Sequence, residues 1–389
     1  MSTTTAIAPR YGNLVAAIAT IACCDIATGL MLQLLPLLMN REGLPAWVIG
    51  LNTAMGPIGI LVGGPFFPRI IGNIGTKRAA FILIATMIIS MLALKMAPSI
   101  WWWFPLRFFF GVATSALFTI SEAWVLTFSG DGNRGRIMGL YTSVLAMTFS
   151  VGPLILPWTG IDGWWPWAIG IVCVAMSTMP LLFVEVDGAT FKQEKGGSFF
   201  AFFRKAPMLL FAVSAATLFD NVFISFFTIF GLRNGLELDV ASRILGVGII
   251  GNVLMFYPIG WLADHWSKRG VIVLTAVLAV VFSLALIVFI DHWLIWIVVI
   301  LLTSSAFGVY VVALAVMGDS FKGPDVIAGA AAMAAMWGVG GLIGPPVAGT
   351  AIDLFGINAM PVTLACFYLF LLVGLVLSRG QLVRGVDHG

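Results

Sequence analysis

The chain has 389 residues, 60% of them hydrophobic and only 10% charged, with a formal net charge of +3. Soluble domains carry near 25% charged residues, and even a large one leaves about a quarter of its surface exposed. The composition therefore excludes a soluble fold and points to lipid as the main solvent, where the 20 lysines and arginines act through their placement rather than their total.

A helix needs about 20 apolar residues to cross a bilayer. Twelve such runs are predicted, at 14–39, 47–68, 78–97, 99–127, 135–157, 164–184, 208–232, 241–263, 270–290, 293–318, 326–353 and 359–378. Turn and charge signals separate them, such as Asn40-Arg41-Glu42-Gly43, Gly130-Asp131-Gly132-Asn133 and Lys322-Gly323-Pro324-Asp325. The longest polar break, 185–207, divides the runs six and six. It is expected to be a cytoplasmic linker between an N-terminal bundle (1–184) and a C-terminal bundle (208–389). The first run is too long for a cleavable signal peptide, and further spans follow it.

Along the first run, residues four apart share a face, so Asp25, Gly29 and Gln33 form one stripe with Asp25 near mid-membrane. The fourth run carries Arg107 toward one end and Glu122 toward the other. Fifteen residues separate them by about 22 Å and about 60° around the helix, so both can line one cavity without pairing. The seventh run places Thr217, Asp220, Asn221 and Thr228 on a partly polar stripe, with Asp220 again near the middle. Ionisable groups at such depth cost about 2.5–3.5 kcal/mol on insertion scales and therefore turn inward. Asp25, Gln33, Arg107, Glu122, Asp220, Asn221, Thr228 and Trp337 are the candidate solute or proton site. Each acid also has a structural reading, as a hydrogen-bond partner to a neighbouring helix.

Glu122 has a second reading as an inner-gate anchor against Arg134 or Arg136, and Asp319, near the end of its run, reads as a gate residue. Phe118, Phe219, Phe223, Phe226, Phe227 and Trp337 could supply an aromatic cavity wall. The stretch Gly338-Val339-Gly340-Gly341-Leu342-Ile343-Gly344-Pro345-Pro346 lacks the lysine-serine ending and the preceding strand of a phosphate loop. Inside a span it reads as close helix packing with a proline kink. Cys23, Cys24, Cys173 and Cys366 lie in apolar runs as small packing residues, and no metal or cofactor site is expected from them or from His265, His292 and His388.

The sequence repeats itself. Asp25 corresponds to Asp220, Gly64 to Gly260, Phe110-Gly111-Val112 to Phe307-Gly308-Val309, Glu122 to Asp319, and Gly152-Pro153 to Gly344-Pro345, in order and at nearly constant offset. Parallel halves of this kind mark transporters that bind solute at the interface between repeats. The basic residues orient the chain. With the N-terminus in the cytoplasm, Arg10, Arg69, Lys77, Arg78, Arg134, Arg136, Lys192, Lys195, Arg204, Lys205, Lys268, Arg269, Lys322, Arg379 and Arg384 lie inside. Only Arg41, Lys95, Arg233 and Arg243 then lie outside, a bias that predicts both termini in the cytoplasm. Trp101–Trp103 and the cluster of Trp164, Trp165 and Trp167 fall at the outer interface.

With these features the sequence resembles the major facilitator superfamily over nearly its whole length. The family's loop between helices 2 and 3 stands in the second half as Gly260-Trp261-Leu262-Ala263-Asp264-His265-Trp266-Ser267-Lys268-Arg269. The first-half copy, Gly64-Pro65-Phe66-Phe67-Pro68-Arg69 then Gly75-Thr76-Lys77-Arg78, has lost its acid to Pro68. Arg107 with Phe108-Phe109-Phe110-Gly111 is similar to the family's helix 4 arginine motif, and Gly152-Pro153 to part of the exporters' helix 5 motif. The branch most resembled is that of drug/proton antiporters. The resemblance implies an all-α membrane protein, with twelve transmembrane helices in two pseudo-symmetric six-helix bundles. It implies a solute cavity between them lined by spans 1, 4, 7 and 10, and a gate at Asp264, Lys268 and Arg269.

The expected function is secondary active transport of a small organic solute by alternating access. Protons would be the coupling ion, and export of a cationic or amphipathic compound is favoured. The alternatives are an uncoupled facilitator and proton-coupled uptake of a small metabolite. The protein is expected to be a monomer, multi-pass in the inner cell membrane, without nucleic-acid partners. A membrane enzyme is disfavoured, because the longest loop is about 23 residues and holds no histidine.

Overall fold

The structure, a computed structural model, describes residues 11–63, 66–129, 134–185, 199–321, 324–378 and 382–383. Twelve helices in it are long and apolar enough to cross a membrane, and no β-strand occurs among the described residues. They are α1 (Tyr11–Arg41), α2 (Ala46–Gly63), α3 (Thr76–Met96), α4 (Trp103–Phe128), α5 (Arg134–Thr159) and α6 (Trp165–Met176, continued by Thr178–Leu182). The second set is α7 (Pro207–Arg233), α8 (Leu238–His265), α9 (Lys268–Phe289), α10 (Ile295–Ser320), α11 (Pro324–Phe355) and α12 (Ala359–Leu377). Short helices at Phe67–Ile74 and Phe199–Lys205 lie between spans. Most of the expected linker, and Gly64 of the repeat, fall outside the described residues.

The boundaries follow local chemistry. α2 is described to Gly63, short of the expected 68, and the Phe66 N–H bonds the Gly63 carbonyl at 2.9 Å in a turn. α6 breaks at Ser177, where Pro180 cannot donate to the carbonyl of Met176. The turns α1–α2 and α7–α8 both close through a glycine at positive φ, Gly43 (74°) and Gly235 (93°), a conformation open to glycine at little cost.

Packing repeats as the sequence does. α5 lies on α1 as α11 lies on α7, and α2 on α4 as α8 on α10. In the first pair Gly152 sits directly over the α1 backbone at Gly29 and Leu30, where a Cβ would collide. In the second, Gly344 brings α11 to within 3.0 Å of the Leu218 carbonyl oxygen, measured from where its Cβ would stand. Small residues replace the hydrophobic drive that lipid cannot supply between spans. Across the two sets of six, α2 packs on α11, α5 on α8 and α1 on α7. Gly50 meets the Pro345 carbonyl on α11, which is the packing role expected of the Gly338–Pro346 stretch.

The surface is apolar as well as the interior. Val362, Leu369, Phe370, Val373 and Val376 of α12 all stand exposed. In water such a face would be a liability; against acyl chains it is not, because a helix satisfies its backbone groups within the segment. Trp101, Trp102, Trp164 and Trp165 are exposed at one end of the bundle, whereas Trp167 is 1% exposed and belongs to the core. Lys95 lies 5.7 and 5.9 Å from the ring centres of Trp164 and Trp167 and holds that cluster together.

Candidate functional site

The two mid-span acids keep away from lipid. Asp25 lies near the middle of α1, is 3% exposed, and stands beside Thr148 of α5, whose hydroxyl donates to the Val144 and Leu145 carbonyls at 3.0 and 3.1 Å. Asp220 stands at the middle of α7, half-buried, with Tyr368 of α12 in electrostatic reach. No hydrogen bond joins Asp220 to any described residue. The sequence suggests two like charges sharing one dry cavity; instead each acid faces its own neighbours, and no contact links them. Asn221 turns its amide to the Thr217 carbonyl at 2.9 Å and lies beside Gly341 of α11.

Glu122 is exposed, about 9 Å short of the end of α4. It lies within electrostatic reach of Tyr141 on α5 and, across the interface, of Tyr310 on α10. Tyr310 packs on Trp337 of α11, their rings meeting edge to face at 5.8 Å. Phe307 completes a triangle with them at 6.2 Å from each. A carboxylate thus lies within electrostatic reach of a half-buried aromatic group of the opposite half. The block Phe219, Phe223, Phe226 and Phe227 contributes nothing to this wall. All four are at most 1% exposed inside the second half, with Phe219 and Phe223 stacked at 5.2 Å and the Phe223 and Phe227 rings tilted at 4.8 Å. Phe118 is half-buried.

Arg107 is 4% exposed and bonds the Asn52 side chain of α2 at 3.2 Å through one terminal nitrogen. Its other terminal nitrogen and the Asn52 amide nitrogen have no hydrogen-bond partner among the described residues. Arg107 and Glu122 stand apart, as their spacing requires. A guanidinium stays charged under any ordinary condition, so two unused donors beside it form a surface suited to an acceptor or anionic group.

Gln33 and Thr228, read from sequence as solute contacts, close on each other. The Gln33 amide donates to Thr228 Oγ1 at 2.7 Å and to Ser242 Oγ of α8 at 2.8 Å. All three side chains are at most 1% exposed. Nearby, Arg233 bonds Asn40 at 2.7 Å. Asp353 of α11 accepts from the backbone amides of Ala46 and Trp47 at 2.9 and 2.8 Å, capping α2 from the other half. These contacts lie at the end bearing the α1–α2 and α7–α8 turns, which the charge bias puts outside.

The opposite end is different. Lys268 pairs with Asp319, but both belong to the second half. Arg136 and Asp264 are exposed, and neither they nor half-buried Arg269 form an ion pair among the described residues. The Arg134 side chain lies outside the described residues. If Asp264 and Arg269 hold this end shut in the opposite conformation, Asp264→Asn removes a charge-assisted contact of about 1.5–3 kcal/mol. The expected result is labelling at least about tenfold faster at an Ala334→Cys probe, one turn from Trp337. Unchanged labelling would remove Asp264 from the gate.

Sequence reasoning passed over Asn52, Tyr141, Thr148, Ser242 and Tyr310. Neutral hydroxyls and amides cost little in a span and carry no charge signal, so only their partners reveal them. The one available cue was scarcity: the chain has just 5 tyrosines.

A bundle of twelve spans, with acids turned inward and one end sealed by contacts between repeats, defines a polytopic membrane transporter. The pattern of the Major Facilitator Superfamily matches residues 17–312 and again 209–384, and the chain belongs to that family. It is 25% identical over 263 residues to the MFS-type transporter YfkF of Bacillus subtilis (strain 168), covering 65% of this chain and 66% of that one. It is 23% identical over 370 residues to the MFS-type transporter YcaD of Salmonella newport (strain SL254), covering 93% and 95%. The fold is that of the nucleoside transporter NupG, with a TM-score of 0.72 at 15% identity over 93% of this chain and 96% of that one. It is also that of a bacterial homologue of the human lysosomal transporter Spinster, in an inward-facing and unoccupied conformation. There the TM-score is 0.72 at 13% identity, over 95% of each chain.

Proposed function

We propose that this transporter moves a small organic solute bearing a cationic group, by alternating access between two six-helix halves, in exchange for protons. What supports the reading is Glu122, exposed on one half and within electrostatic reach of Tyr310, which pairs with Trp337 on the other. Aromatic faces and a carboxylate together recognise a cation. Asp25 supplies the coupling group, because a carboxyl in a dry site trades its charge for a proton readily. Asp220 and Asn221 contribute a polar contact on the second half. Proton-for-cation exchange fits export, as in the drug/proton antiporter branch, with both termini in the cytoplasm and the protein acting as a monomer in the inner cell membrane. Burial of Asp25 beside Thr148 favours the alternative of an uncoupled facilitator, in which that acid is structural.

Thermal shift of the purified protein tests the solute class, with tetraphenylphosphonium, benzoate, uridine and glucose at pH 5.5 and 8. Stabilisation by tetraphenylphosphonium that is stronger at pH 8 and lost in Glu122→Gln is the expected result. Stabilisation by uridine or glucose alone would replace the cationic solute with an uncharged metabolite.

A further inference from the structure

Arg107 sits in a tight crossing of α2 and α4. α2 turns Gly56 and Gly59 toward α4 there. A Cβ on Gly111 would stand 2.4 Å from the Gly56 Cα, and one on Gly59 would stand 2.8 Å from the Val112 nitrogen. Arg107 lies one turn before Gly111, and Asn52 one turn before Gly56. Arg107 is 4% exposed and Asn52 is wholly buried. Their one shared bond, at 3.2 Å, uses a single guanidinium nitrogen and the Asn52 carbonyl oxygen. The other terminal nitrogen of Arg107 and the Asn52 amide nitrogen meet no acceptor among the described residues, and no carboxylate there pairs with Arg107. A buried charge without a counter-charge destabilises a fold strongly, and unmet donors beside it add to the cost.

The packing does not require that charge. At the repeat offset that carries Gly64 onto Gly260, Asn52 falls on Gly248 of α8 and Arg107 on Thr303 of α10, each pair 55 residues apart. There the Thr303 hydroxyl donates to the Gly248 carbonyl at 2.9 Å, and a Cβ on Gly248 would stand 2.5 Å from Val299. The second half thus makes the same crossing with a neutral contact. In the first half a guanidinium and an amide stand in its place, with two donors to spare.

Both spare donors lie toward the sealed end. Asn52 is about 9 Å from the start of α2 and Arg107 about 6 Å from the start of α4. Asp353 of the other half caps the start of α2. When this end opens in the cycle, α2 parts from α11 and the donors come within reach from outside.

We propose that Arg107 and Asn52 form a subsite for a carboxylate, reached from the outer side and shut in this conformation. One carboxylate oxygen would accept from the free guanidinium nitrogen and the other from the Asn52 amide, while the Arg107–Asn52 bond holds the fork in position. The carboxylate belongs either to the solute itself or to a separate small anion. The inference rests on the alternating-access part of the reading above, and on neither its protons nor its cation.

The test is thermal shift of the full-length protein at constant ionic strength, with benzoate as an anion, trimethylglycine as a zwitterion and tetraphenylphosphonium as a cation. A Gln33→Ala background loosens the outer seal and opens the subsite. A carboxylate probe is expected to stabilise this protein, with an affinity at least about tenfold weaker in Arg107→Gln. The double variant Asn52→Gly with Arg107→Thr copies the neutral contact of the second half. It should melt no lower than its parent, since a buried charge gives way to a packed neutral pair, and should lose the carboxylate response. Equal responses to benzoate and trimethylglycine assign a separate anion; a response to trimethylglycine alone assigns a carboxylate on the solute. A double variant that melts lower and still answers to carboxylates makes the pair structural and overturns the subsite. A response to tetraphenylphosphonium with none to either carboxylate overturns the subsite and leaves the cationic solute standing. The reverse keeps the subsite and overturns the cationic solute, and no response to any probe overturns both.

Discussion

Asp25→Asn is expected to abolish accumulation driven by a pH gradient while leaving solute exchange in place. The substitution keeps the size of the side chain and leaves untouched the α1–α5 backbone contact built on Gly29 and Gly152. What it removes is a proton that can be taken up and released. A gradient of one pH unit is worth about 1.4 kcal/mol, or a tenfold concentration ratio per proton. In proteoliposomes the variant should therefore equilibrate labelled tetraphenylphosphonium to a ratio of one, where the wild type reaches about tenfold per pH unit for one proton per cation. Counterflow at equal pH should continue at a comparable rate. Asp220→Asn should weaken solute binding more than coupling, because Asp220 is half-buried with no hydrogen-bond partner among the described residues and is free to meet a ligand. Uphill movement at wild-type rates in both variants would leave Glu122 as the coupling acid and make the mid-span pair structural.

Locking the Gln33–Thr228 contact is expected to stop transport altogether. In this structure the two halves meet through that buried pair and Ser242, with the Asn40–Arg233 and Asp353 contacts around it. A hydrogen bond of this kind is worth about 0.5–1.5 kcal/mol net, enough to hold a closed state and weak enough to open within a transport cycle. A covalent tie removes the second possibility. On a background lacking Cys23, Cys24, Cys173 and Cys366, Gln33→Cys with Thr228→Cys should react with a short bis-methanethiosulfonate. Solute exchange should then fall to the level of empty vesicles and return on reduction. Labelling at Ala334→Cys should be unaffected, since that end is separate from the tie. Wild-type exchange by the tied protein would mean that this seal never opens, and that Gln33 and Thr228 serve packing alone.

The amino-acid sequence by itself determined the solvent, the number of spans, their repeat and the depth of each ionisable group. These follow from quantities that run along the chain: apolar length against bilayer thickness, and residue number against a helical rise of about 1.5 Å. Asp25, Arg107, Glu122 and Asp220 could be placed by height from their positions alone, and the gap between Arg107 and Glu122 could be foreseen. Direction around each helix was another matter. In a water-soluble helix the polar face announces which way is out. Here lipid and protein interior are equally apolar, so Phe226 and Phe227 in the core read no differently from Phe370 against lipid.

Only the tertiary structure decided which polar groups meet. It joined Gln33 and Thr228 in one buried hydrogen bond, set Asp25 beside Thr148 of α5, and brought Glu122 within electrostatic reach of Tyr310. The physical reason is that these pairs join helices far apart in sequence. Their approach is fixed by where glycines let backbones touch, as at Gly50 with Pro345 and Gly152 with Leu30, and not by the polarity of the residues they bring together.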